Sequence, residues 1–243
     1  MKKTISILIV SLLAAALLLV ACKAPTATVD KPSESQPAAE GVGTVGGWTV
    51  FDDSTAYPIP DKAMDAFNRA TDGYVGVTFK PIALIGTQVV AGTNYAVLCL
   101  ATPVVQNPVS HLAVVTVYED VNGNATIKNV VDFDLGQIKD AASEAADPAI
   151  VGGWAVPEEY KVINLPADAA VAFSKAADAY EAGTLEPLAL LGSQVVAGMN
   201  YAVLCRETTE AGTNTVVAFI YAALDGTASV LSVSTLSGAD FNE

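Results

Sequence analysis

Apolar and polar positions along this chain follow two periods that switch at fixed places. After Pro60, apolar residues fall at Ala63, Met64, Phe67, Ala70 and Tyr74; after Pro166 they fall at Ala169, Ala170, Phe173, Ala176, Ala177 and Tyr180. Spacings of i, i+3, i+4 and i+7 put these side chains on one face of a helix. A proline at a helix start is harmless, because the first N–H groups have no partner within the helix. The aromatic in each stripe is expected in a core. Beyond each helix the period changes. Residues 75–90 are β-branched and apolar with glycine interruptions, and read as a strand. Ala91-Gly92-Thr93-Asn94 has turn chemistry, and residues 95–102 read as the returning strand. Residues 111–120 and 125–135 form a hairpin about Asn122-Gly123, a favoured two-residue turn.

This pattern is written twice, with a period of 106 residues. Val45-Gly46-Gly47-Trp48 recurs as Val151-Gly152-Gly153-Trp154, and Pro81-Ile82-Ala83-Leu84 as Pro187-Leu188-Ala189-Leu190. The strongest match sets QVVAGTNYAVLC at residues 88–99 against QVVAGMNYAVLC at 194–205. The second copy closes its last hairpin on Asp225-Gly226 after a connection three residues shorter. Each copy predicts a short strand, one helix and four antiparallel strands. A lone amphipathic helix must bury its stripe against the sheet. The expectation is an α+β fold of two tandem domains, residues 45–136 and 150–243. A linker at 137–149, rich in Ala and acids, joins them.

The N-terminus carries a different signal. Lys2 and Lys3 precede an almost unbroken apolar run at residues 5–20. That run is short for a bilayer-crossing helix, which needs roughly 20 residues. It reads as a secretory signal, with a short membrane anchor as the alternative. The run closes on Leu19-Val20-Ala21-Cys22, which resembles a bacterial lipobox. The resemblance implies cleavage after residues 1–21 and acylation of Cys22. The folded part would then be exported and held to a membrane by its lipid. Residues 22–44 are rich in Ala, Pro, Ser, Thr and Glu without apolar periodicity, and read as a flexible tether.

Composition narrows the function. Acids outnumber bases 26 to 12 among 243 residues, for a net charge of −14. Nucleic acid is excluded as a partner, because phosphate binding needs clustered Lys and Arg. One histidine and three cysteines leave little for a zinc site or a His-dependent nucleophile. No enzyme activity, cofactor or metal is expected. Cys99 and Cys205 hold equivalent strand positions and are read as core thiols, with a bridge between the copies as the alternative. His111 is read as a surface strand residue. The run Asp120-Val121-Asn122-Gly123-Asn124 hints at a calcium loop, but its glycine is misplaced and no Glu follows at the needed spacing; it reads as a hairpin turn.

Gln-Val-Val-Ala-Gly followed by x-Asn-Tyr resembles the first hairpin loop of cystatins, the protein inhibitors of papain-like cysteine peptidases. The order of glycine-bearing segment, helix and antiparallel strands is similar too, and the likeness spans both copies. It implies that each copy is a cystatin-like domain in which a four- to five-stranded antiparallel sheet wraps one helix. It also implies that the chain binds and reversibly inhibits such a peptidase by wedging into its cleft. The contacting residues would be Val45, Gly46, Gly47, Gln88, Val89, Val90, Ala91 and Gly92, with Val151, Gly152, Gly153, Gln194, Val195, Val196, Ala197 and Gly198 in the second copy. The residues themselves suit the task. Gly92 and Gly198 tolerate a tight bend, and Val89, Val90 and Ala91 are small and apolar. Gln88 and Gln194 are candidates to hold the loop by hydrogen bonding to its backbone. QVVAG also serves as an efficient hairpin in its own right. One departure stands out: the second cystatin loop usually carries Pro-Trp, and neither matching turn, residues 119–124 or 223–227, contains either. The two tryptophans follow each Gly-Gly, where they pack on the sheet or add to the N-terminal contact. A non-inhibitory surface binding module is the alternative reading.

Overall fold

The computed structural model describes residues 47–50, 57–142, 153–158 and 165–241. Cys22, Val45, Gly46, Val151 and Gly152 lie outside the described residues, as do the signal and the tether. The first copy forms β1 (Trp48–Val50), α1 (Asp61–Thr71), β2 (Val77–Val90), β3 (Gly92–Pro103), β4 (His111–Glu119) and β5 (Ala125–Asp132). Helix α2 (Leu135–Ala142) follows. The second copy forms α3 (Ala167–Asp178), β6 (Thr184–Val196), β7 (Gly198–Thr209), β8 (Gly212–Ala222) and β9 (Ala228–Thr235), then a 3₁₀ turn at Gly238–Phe241. The strands make two antiparallel meanders, β1-β2-β3-β4-β5 and β6-β7-β8-β9.

The helices start where the pattern put them. Pro60 and Pro166 sit just before the first helical residue, and each accepts the first helical bond through its carbonyl. α1 buries Ala63, Ala66 and Phe67 against Leu84, Val97, Cys99 and Val115 of its own sheet. α3 buries Ala169, Ala172, Phe173 and Ala176 against Val203, Cys205 and Val216. Tyr74 lies beyond the end of α1, half exposed, with its ring against Phe79.

The expected α+β fold, one helix wrapped by a sheet in each domain, does not describe this protein. Antiparallel sheet dominates, in one five-stranded and one four-stranded sheet, and the described residues hold three α-helices instead of one per copy. Neither sheet encloses its helix. Each helix covers one face only, and the opposite faces share a single core. Ile85, Ala96, Leu98, Leu100 and Val114 of the first sheet belong to the same cluster as Leu191, Ala202, Leu204, Val217 and Phe219 of the second. The physical reason lies in β3, which is buried at every position from Asn94 to Ala101. Successive strand residues point to opposite faces. A strand apolar at every position needs cover on both sides, and one helix supplies only one. The layers therefore run helix, sheet, sheet, helix.

Two short segments lock this arrangement, each reaching from one copy onto the other. Leu135, at the start of α2, lies against Gly192 of β6; a Cβ there would come within 2.7 Å of Leu135 Cδ1. Phe241, 106 residues later, lies against Gly86 of β2, where a Cβ would meet Phe241 Cε2 at 2.9 Å. Gly86 and Gly192 are themselves 106 residues apart. Phe241 also meets Trp48 edge-on at 5.1 Å between centroids, and Ser234 Oγ donates to the Ile138 carbonyl at 3.2 Å. The exchange is thus reciprocal.

Candidate functional site

The QVVAG segments form the β2–β3 and β6–β7 turns. In the first copy Val90 pairs with Gly92 across the turn, and in the second Val196 pairs with Gly198. Gly92 and Gly198 have φ of +130° and +127°. A Cβ at either would also lie 2.3 Å from a backbone carbonyl of the neighbouring strand, Glu119 O or Ala222 O. Only glycine meets both demands. Gln88 Oε1 accepts from Asn94 Nδ2 at 2.5 Å, and Gln194 Oε1 accepts from Asn200 Nδ2 at 2.8 Å. The Gln and Asn of QVVAGxNY are thus cross-strand partners that brace the hairpin from within. Tyr118 of β4 donates its hydroxyl to the Ala91 carbonyl at 2.6 Å, and Tyr221 of β8 does the same to Ala197.

Those bonds turn the remaining letters outward. Val89 is 53% exposed and Val195 67%, with Val90, Ala91 and Ala197 also open to solvent. Val196 is half-buried. Because Thr93 pairs with Glu119, the β4–β5 turn emerges directly beside the β2–β3 turn. Its tip carries Val121, 82% exposed; Leu224 occupies the same place in the second copy at 86%. The two outer turns have identical backbone bonding. Asp120 N donates to Asn124 O and Gly123 N to Asp120 O, matched by Ala223 N to Thr227 O and Gly226 N to Ala223 O. Trp48 pairs with Gln88 in β1, so the exposed Gly47 borders Val89. In the second copy a single bridge, Ala155 to Ser193, places Gly153 near Val195. Each copy therefore ends in one row: a glycine-bearing segment, paired as strand β1 in the first copy and by one bridge in the second, then an apolar first turn and an apolar outer tip. Sequence reading placed the first two and missed Val121 and Leu224. The available signal was a lone aliphatic residue within each otherwise polar or small turn.

Electrostatics around the rows are local. The Asp120 carboxylate accepts from the Asn124 side chain and from the Asn124 and Asn122 backbone N–H groups, which hold its pKa below the usual range. The turn's own donors thus occupy both oxygens. The Asp225 carboxyl is lowered by bonds from the Thr227 side chain and backbone. Behind the first row, Glu119 joins Arg69 of α1 at 2.5 Å and Tyr95 at 3.1 Å. Burial, then the Glu119 charge, pushes Tyr95 up to about 12. Tyr180 bonds Glu207 and is likewise pushed up to about 12, chiefly by burial. A cavity of about 410 Å³ opens beside the first row, lined by Val90, Ala91, Asn94, Tyr118, Thr126 and Lys128.

The other candidates fall elsewhere. Trp48 and Trp154 pack into the core between the sheets, Trp154 edge-on to Phe219 at 5.6 Å, so neither belongs to a row. Cys99 and Cys205 are free and buried, in the separate cores under α1 and α3. Burial raises both thiols' pKa. His111 stands partly exposed at the start of β4, 3.2 Å from Asp132. Among the described residues no three His, Cys, Asp or Glu side chains come together in a way that would hold a metal, and no helix is long and apolar enough to cross a membrane. Aliphatic side chains and turn backbone can fill an apolar cleft; they cannot transfer a proton. Compared with known proteins, the chain matches no family model and no curated protein.

Proposed function

We propose that this chain is an exported binding protein, held to a membrane through a lipid on Cys22, that occludes the clefts of papain-like cysteine peptidases without catalysing a reaction. The observation that carries this reading is the row of Gly47, Val89, Val90 and Val121, set side by side by the β1–β2 and β3–β4 pairing, with the Tyr118–Ala91 bond tying the first turn to β4. A cleft-filling wedge needs adjacent, small, apolar and rigid projections, and this row has all four properties. The hairpins are braced before binding, so little ordering entropy is lost. The likeness of QVVAGxNY and the Gly-Gly segments to the cystatin motif supports the same target class.

The magnitude is modest. Burying the exposed parts of Val89, Val90 and Val121 would contribute about 3–5 kcal/mol, against association costs of at least about 4 kcal/mol. Backbone bonds from the turns and from the glycine segment must supply the rest. Micromolar binding needs about −8 kcal/mol in all, so these backbone bonds carry most of it, and the complex is weaker than one anchored by a buried tryptophan. Titrating papain with the full chain in detergent, and following hydrolysis of a peptide substrate, tests this. Competitive inhibition at micromolar concentration is expected. Unchanged turnover with detectable binding would favour the non-inhibitory binding module; absence of binding would sink the reading.

A further inference from the structure

The two outer tips pose a separate question. In the turns at Asp120–Val121–Asn122–Gly123–Asn124 and Ala223–Leu224–Asp225–Gly226–Thr227, four of five residues differ and only the glycine is kept. Yet the second position is a large aliphatic residue in both, at more than 80% exposure. The fold gains nothing from it, since a polar side chain would serve the same backbone bonds. A single exposed apolar residue is ordinary. Here it recurs at the same place in both copies, beside the turn that exposes Val89 and Val90 in the first and Val195 in the second. Both rows stay open although the sheets share a core that reaches Trp48 and Trp154: with both copies in place, Val89, Val121, Val195 and Leu224 each keep more than half of their surface exposed. The reciprocal packing of Leu135 and Phe241 then ties the copies into one body.

We infer that the chain is two-headed: both rows hold a partner at the same time, so one chain bridges two peptidase molecules. The inference rests on the reading above. The experiment separates the two. Papain whose nucleophilic cysteine is replaced by serine is fixed to a biosensor surface. The full chain in detergent is captured on it, and the same papain is then passed over in solution. A second layer of about one papain per captured chain is expected. V195D/L224D should still be captured through the first row and lose the second layer; V89D/V121D should behave as its mirror. These positions are exposed, so the fold is left intact, which an unchanged circular dichroism spectrum verifies. Capture of the unaltered chain with no second layer overturns the two-headed inference and leaves the peptidase reading standing. A second layer that survives both variants also overturns it, since chains would then be pairing with each other. Failure of the first capture overturns the peptidase reading itself.

Discussion

Replacing Phe241 by alanine should unfold the first copy as readily as the second. Phe241 is 1% exposed, packs edge-on against Trp48 and fills the space over Gly86, both in the first copy. Phe-to-Ala changes at buried positions cost about 3–5 kcal/mol through lost transfer energy and the cavity left behind. Total stability for a domain is about 5–15 kcal/mol, so the loss is a large share of it. For a folded body of this size each kcal/mol moves Tm by about 2–4 °C, which puts the expected drop near 10 °C. The assay is thermal and urea unfolding followed by tryptophan fluorescence, in chains retaining only Trp48 or only Trp154. Both reporters should move together, to the same lower midpoint. If F241A shifts the Trp154 transition and leaves that of Trp48 in place, the copies fold independently and the shared core is not what stabilises them.

Three further outcomes follow from the geometry. Gly92→Ala should cost about 2 kcal/mol or more, because it combines a positive φ with a Cβ directed at the Glu119 carbonyl; Gly123→Ala, with φ +84° but open space around it, should cost less, and equal urea midpoints would contradict this. Stability should fall as pH rises from about 10 to 12: the folded-state pKa values of Tyr95 and Tyr180, about 12, lie above the unfolded value, so their contribution is present below pH 10 and lost as pH rises through 12. The double variant Y95F/Y180F should flatten that slope in urea titrations. Cys99 and Cys205 should resist a thiol reagent in the native protein and both react in denaturant, since burial keeps them protonated and inaccessible; fast native labelling would refute their placement.

Local features were legible in the sequence because they depend on neighbours. The stripes containing Phe67 and Phe173 gave the helices, and Asn122-Gly123 and Asp225-Gly226 gave the outer turns. The shared core was not, because its decisive contacts join residues about 57 and 155 apart, Leu135 with Gly192 and Phe241 with Gly86. One clue was present: YAVLCLA in β3 is apolar at every position and so demands cover on both faces. At the site, Gln88 through Gly92 stood out because they repeat letter for letter. Val121 and Leu224 did not, since they repeat only in character and only register places them beside the valines. The roles of Gln88 and Asn94 needed the hairpin pairing before they could be seen as partners.

The exchange of Phe241 has a consequence for the order in which the molecule is completed. Chains generally fold from the N-terminus as they emerge. Here the space over Gly86 and beside Trp48 is filled by a residue 155 positions after that glycine. The first copy therefore waits, its inner face unfinished, until Phe241 has been made. Its final locking reports that the second copy has been made.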